Sequence, residues 1–164
     1  MRIKMTLASL IVLALATGAG AQNKLSGTAQ CSKPDPQHMV QVGDRPNHSF
    51  MLSQSKCTWS KPYETAGIEG KETLTTAFDE ISGNGSSTRG FFFNTMANGD
   101  KQYGRYQGKA TLKDGMPQSL EGTWSSSGGT GKFKGMKGKG TYKAKGNPDG
   151  TVTYEIESEY ELPK

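Results

Sequence analysis

From Thr151 to Leu162 the chain alternates without a break. Val152, Tyr154, Ile156, Ser158, Tyr160 and Leu162 take the even positions, and Thr151, Thr153, Glu155, Glu157, Glu159 and Glu161 the odd ones. A side-chain period of two marks a strand with one buried and one wetted face. Upstream, Lys139, Thr141, Lys143 and Lys145 alternate with Gly140, Tyr142, Ala144 and Gly146, and Asn147-Pro148-Asp149-Gly150 between the two runs is a turn signal. Facing residues must share a side of the sheet, so paired residue numbers must have an even sum. A plain four-residue loop would pair Gly146 with Thr151 and set Lys143 against inward Tyr154, which breaks that rule. A three- or five-residue loop, or a bulge, is therefore expected. The five-residue register places Lys143 opposite Glu155 and Lys139 opposite Glu159. Such exposed pairs contribute a few tenths of a kcal/mol, up to about 1 each, and fix register more than they stabilise.

The same alternation recurs along Lys101–Leu112 and Ser119–Ser125, with shorter runs led by Phe50 and Leu52, by Leu74 and Phe78, and by Phe91-Phe92-Phe93. Turn signals at Ser82-Gly83-Asn84-Gly85, Asn98-Gly99-Asp100, Lys113-Asp114-Gly115 and Gly128-Gly129 separate them. No helical period is present, so the chain is expected to be all-β: one antiparallel sandwich or barrel of about seven to nine strands. Alternating small and large inner residues favour a tapered or small barrel. Past residue 21 only 39 of 143 residues are apolar, too lean a core for a helical bundle or a multi-domain enzyme.

The segment Gly128-Gly129-Thr130-Gly131-Lys132-Phe133-Lys134-Gly135-Met136-Lys137-Gly138-Lys139-Gly140-Thr141-Tyr142 resembles the glycine-rich strand region of the allene oxide cyclase barrel-like and related calycin-like proteins. The resemblance covers about the last third of the chain. It implies an eight-stranded antiparallel barrel with a central cavity. Allene oxide cyclases fold an unstable epoxide into a cyclopentenone in such a pocket without a cofactor, and dirigent proteins use a similar barrel to steer radical coupling. No functional residue of either group maps onto this chain. The stretch from Cys31 to Trp59 departs from both.

Residues 1–21 read as a secretory signal peptide: basic Met1-Arg2-Ile3-Lys4, an apolar run from Met5 to Ala16, and small Ala19 and Ala21 before a cut at Gln22. Residues 22–164 then form the barrel domain, exported to the periplasm or secreted, with no membrane span in the mature chain. In an oxidising compartment Cys31 and Cys57 default to a disulfide closing an N-terminal loop segment. In the chain-entropy picture that closure stabilises the fold by roughly 3.5 kcal/mol. Two free thiols, or a metal held with His38 and His48, are the alternatives; the spacing lacks the short ligand pairs of structural zinc sites, and no metal or other cofactor is expected.

Gly131-Lys132 is followed by Phe133 and then a strand, which excludes a phosphate-binding loop. Lys132, Lys134, Lys137, Lys139, Lys143 and Lys145 form a basic run, but the neighbouring glutamates neutralise it, so a solvated, charge-paired face is expected and nucleic acid is not. No nucleophile elbow is present. Adjacent Asp79 and Glu80 point to opposite faces, and shared parity with Leu74, Thr76 and Phe78 turns Glu80 inward. Glu80 is thus the candidate cavity carboxylate and the weak catalytic candidate; a strand-end residue near the rim is the preferred alternative. Phe92, Tyr106, Trp124, Tyr142 and Tyr154 are the candidate lining of a barrel mouth that takes a small apolar or amphipathic ligand. A cofactor-free isomerase or cyclase, and a filled barrel that works through its surface, are the competing readings. The sequence leaves the oligomeric state open.

Overall fold

The computed structural model describes residues 23–163; the leader assigned above lies outside them. Ten strands form one sheet system: β1 Asn23–Cys31, β2 Gln37–Gln41, β3 His48–Lys61, β4 Glu64–Thr65, β5 Ile68–Ser82, β6 Gly85–Met96, β7 Lys101–Lys113, β8 Met116–Gly129, β9 Lys137–Gly146 and β10 Val152–Glu161. Eight of them close an antiparallel barrel in the order β1-β10-β9-β8-β7-β6-β5-β3, with β3 returning to β1. The two extra strands are β2, which pairs with the first half of β3, and β4, a short hairpin on β5.

The β9–β10 hairpin takes the five-residue register. Val152 faces Gly146, Lys143 faces Glu155, and Lys139 faces Glu159 with its Nζ 3.0 Å from Oε1. The expected disulfide is present. Cys31 and Cys57 stand opposite each other where β1 meets β3, the shortest ladder of the barrel, so the crosslink pins the seam that closes it. The segment between the cysteines is a strand pair rather than a loop, with β2 folded back on β3.

The interior is filled by flat rings lying on bare backbone. A methyl group built on Gly90 would stand 2.7 Å from the Tyr106 ring, and one on Gly27 would stand 2.7 Å from the Trp59 ring. Phe92 lies in the same way over Gly104, and the Tyr142 hydroxyl over the directly paired Gly108 and Gly122. An aromatic ring covering a strand glycine restores the packing that the glycine gives up. One end of the barrel is plugged by Phe133, wholly buried on a short 3₁₀ turn at Gly131–Phe133, together with Tyr63, Met96, Met136 and Tyr160.

Gly108→Ala is expected to destabilise the fold by about 1–3 kcal/mol, because its methyl would collide with the Tyr142 hydroxyl and the Glu121 carbonyl. At Gly138 the same methyl would meet its neighbours at 3.4–3.6 Å, ordinary contact, so Gly138→Ala should change stability by less than about 0.5 kcal/mol. Urea unfolding of the two variants beside the parent reads the difference.

Candidate functional site

The rings do not fill the barrel completely. A cavity of about 110 Å³ remains, and all five aromatics singled out from the sequence, Phe92, Tyr106, Trp124, Tyr142 and Tyr154, stand on its wall. They come from β6 to β10 and pack edge to face: Phe92 against Trp124 at 5.6 Å between centroids, Tyr106 against Tyr142 at 6.2 Å. Such offset pairs favour the aromatic quadrupole and hold each ring in place. The disulfide sulfurs of Cys31 and Cys57 belong to residues of the same wall.

The polar side of the cavity was not read from the sequence. Trp59 Nε1 donates to Thr73 Oγ1 at 3.0 Å, Thr73 donates to Asn94 Oδ1 at 2.7 Å, and Asn94 Nδ2 donates to Gln102 Oε1 at 3.2 Å. The Tyr63 hydroxyl donates to the same Gln102 oxygen at 3.2 Å. This chain runs round the barrel from β3 across β5 and β6 to β7, and satisfies each buried group in turn. Its signal was present: Asn94 and Gln102 share the inward parity of Phe92 and Tyr106, an unusual place for amides.

Three polar atoms of the cavity residues stand outside that network. The Tyr142 hydroxyl, Trp124 Nε1 and the Thr65 hydroxyl are buried and have no hydrogen-bond partner. A buried donor left unpaired costs about 1–3 kcal/mol. The phenols stay protonated and so remain donors. Burial, reinforced by the negative charge of Asp79, pushes Tyr142 well above the ordinary phenol range and Tyr154 up to about 12; for Tyr106 burial leads again, with Tyr154 and Asp79 adding to it.

Asp79, not Glu80, is the carboxyl inside the barrel. Asp79 is 9% exposed, whereas the Glu80 side chain is 47% exposed on the outer face. The expectation set the face from Leu74 and Phe78, and that face is the outer one, with Phe78 stacked on Phe50 and carrying the Arg89 guanidinium. The bulge of the strand, where Gly70 faces Met96 but Glu72 faces Thr95, lies upstream of all these residues. Past Lys71 the inward positions are Thr73, Thr75, Ala77 and Asp79, and Leu74, Thr76, Phe78 and Glu80 turn outward. Burial raises the Asp79 carboxyl above its usual range, opposed by a hydrogen bond from the Thr88 hydroxyl directly across the ladder. No cation offsets the burial.

His38 sits exposed on β2, opposite Leu52, away from the barrel interior. His48 opens β3 on the other side of the wall, buried between Asp44, which meets Nδ1, and Glu80, whose Oε1 lies 3.2 Å from Nε2. Among the described residues no cluster of three or more histidines, cysteines or carboxylates has the arrangement of a metal site. No helix among them is long and apolar enough to cross a membrane.

No family model matches the chain, and no curated protein matches it. Among solved structures it is similar to the pterocarpan synthase dirigent protein GePTS1, at 14% identity and a TM-score of 0.52, over 98% of this chain and all of that one. The two share a fold. At that identity the likeness is one of fold, an eight-stranded antiparallel barrel, and carries no residue across.

Asp79, buried inside the barrel but not on the cavity wall, gives the fold a pH signature. A carboxyl whose folded value lies above its unfolded value binds its proton more tightly in the native state, so stability falls as pH rises from the unfolded value through the folded one. Asp79→Asn removes that loss. The variant should gain on the order of 1 kcal/mol over the parent at pH 7.5, the size of one uncompensated buried group, and little at pH 3.5. Urea midpoints measured at both pH values check the sign.

Proposed function

We propose that the barrel is an exported binding protein that holds one small, largely apolar molecule carrying an acceptor oxygen. The observation that carries this reading is an aromatic cavity whose wall includes two buried donors, Tyr142 Oη and Trp124 Nε1, without partners. Both can give a proton to a carbonyl, ether or phenolic oxygen, and indole N–H can only donate. The volume sets the ligand's scale. An apolar cavity of about 150 Å³ accepts benzene, so 110 Å³ suits at most a single small ring. The disulfide agrees with work in an oxidising compartment after export.

Tyr142→Phe separates this reading from a merely structural tyrosine. Loss of the unpaired hydroxyl should stabilise the empty protein by about 1 kcal/mol. It should also weaken benzaldehyde binding about tenfold and leave isosteric toluene unchanged, as read by calorimetry. Equal affinities of the two probes, or benzaldehyde binding indifferent to the substitution, would sink the proposal. Native mass spectrometry of the protein from its own exported fraction adds the natural ligand's mass.

A second reading, a cofactor-free isomerase resembling allene oxide cyclase, is favoured by Asp79. A carboxyl held above its usual range inside an aromatic barrel is suited to proton transfer. On this reading the parent exchanges the α-hydrogens of cyclohexanone for deuterium in D2O faster than buffer alone, and Asp79→Asn slows that exchange at least tenfold. Proton NMR follows the loss of signal directly; exchange at the buffer rate would leave binding as the function.

A further inference from the structure

On the outer face of the barrel, planar groups stack in a column across β3, β5 and β6. The His48 ring lies 5.9 Å from that of Phe50, the Phe50 and Phe78 rings stack at 5.5 Å with 20° between their planes, and the Arg89 guanidinium lies 5.0 Å from the Phe78 centroid. His48 anchors the inner end through Asp44 and Glu80. A guanidinium laid on an aromatic face loses little further freedom when its N–H edge meets an anion. Arg89 has no ion pair among the described residues, and neither has Lys109 one strand away.

Beside the column runs a groove of about 520 Å³, within the range of ligand clefts. Its sides carry Arg89, Lys109, Ser87, Gln107 and Thr123, and its floor includes the backbone of Gly108 and Gly122. The one carboxylate on the rim, Glu80, is engaged by His48. Two unpaired cations therefore face a trough that also offers two hydroxyls and an amide. A nucleic acid would need a ring free for base stacking, yet the Phe78 ring is already engaged by the Phe50 ring and the Arg89 guanidinium.

We propose that this groove binds an acidic sugar, with the carboxylate of a uronate residue on Arg89 and Lys109 and the ring hydroxyls on Ser87, Gln107 and Thr123. The site is on the opposite side of the wall from the cavity and stands independently of the ligand proposed there. Charge-assisted, two-pronged contacts from a held guanidinium supply the selectivity for carboxylate.

The test is calorimetric titration of the protein with hexagalacturonate and with its neutral methyl ester. Saturable binding in the range of about 0.1–1 mM is expected. It should weaken at least tenfold with the ester and in Arg89→Ala, fall partway in Arg89→Lys, which keeps the charge without the planar fork, and stay unchanged in Tyr142→Phe. Absence of saturable heat, or binding indifferent to Arg89→Ala and Arg89→Lys, would overturn the site. So would equal affinity for inorganic polyphosphate, which reports bulk charge, or Arg89-dependent transfer to phosphatidylglycerol vesicles in place of sugar binding, which assigns the face to a membrane.

Discussion

The barrel depends on one packing arrangement, an aromatic ring laid over a glycine in a neighbouring strand. A chain with so few aliphatic side chains cannot fill an eight-stranded cylinder with branched residues alternating across each layer. Rings supply large buried area per residue, but a barrel of this size has no room for several of them unless the opposite wall recedes. The glycines at positions 90, 104, 108 and 122 provide that recess, and each is occupied by a named ring or hydroxyl. High glycine content is thus a consequence of the aromatic core rather than a sign of looseness. Two hydrocarbon-poor ingredients combine into a packed interior.

Rings are rigid and few in shape, so their packing leaves a remainder. The remainder here is the 110 Å³ cavity. Three of the five rings that the sequence placed there are tyrosines, where phenylalanine would fill the same space without the cost of burying a hydroxyl. Burial keeps those phenols protonated, and the hydroxyl of Tyr142 lacks a partner. A purely structural core gains nothing from that atom. The nearby amide network of Asn94 and Gln102 shows that the same barrel can satisfy its interior polar groups when they serve the fold.

What the sequence disclosed and what it hid divide along the geometry of strands. In β9 and β10 the alternation is uninterrupted, so parity excluded a four-residue loop, gave the Lys139–Glu159 pair for the five-residue register that is found, and turned the tyrosines inward. The assignment of Phe92, Tyr106 and Trp124 to the interior succeeded because parity is kept along the portions of β6, β7 and β8 that carry them. It failed in β5 because the face was set from the large apolar residues: Leu74 and Phe78 looked like core, yet Phe78 belongs to an outer aromatic–cation stack, and the inward positions are Thr73, Thr75, Ala77 and Asp79. The strands β1 and β2 were not read at all. Their residues, polar and punctuated by Pro34 and Pro36, carry little apolar alternation, and pairing partners far along the chain decide their state.

The two candidate sites meet at one pair of residues. Gly108 and Gly122 face each other across the β7–β8 ladder, receive the Tyr142 hydroxyl from within, and contribute to the floor of the outer groove. The wall between the two spaces is there a single layer of backbone. A methyl group on either glycine would press on the Tyr142 hydroxyl and on a backbone carbonyl of the ladder, that of Glu121 for Gly108 and that of Gln107 for Gly122. The outer surface is then disturbed only through displacement of the strand that bears Gln107 and Lys109. Cavity and groove therefore constrain the same two positions for different reasons, close packing on one side and a flat floor on the other. Glycine satisfies both because it adds no bulk to either face.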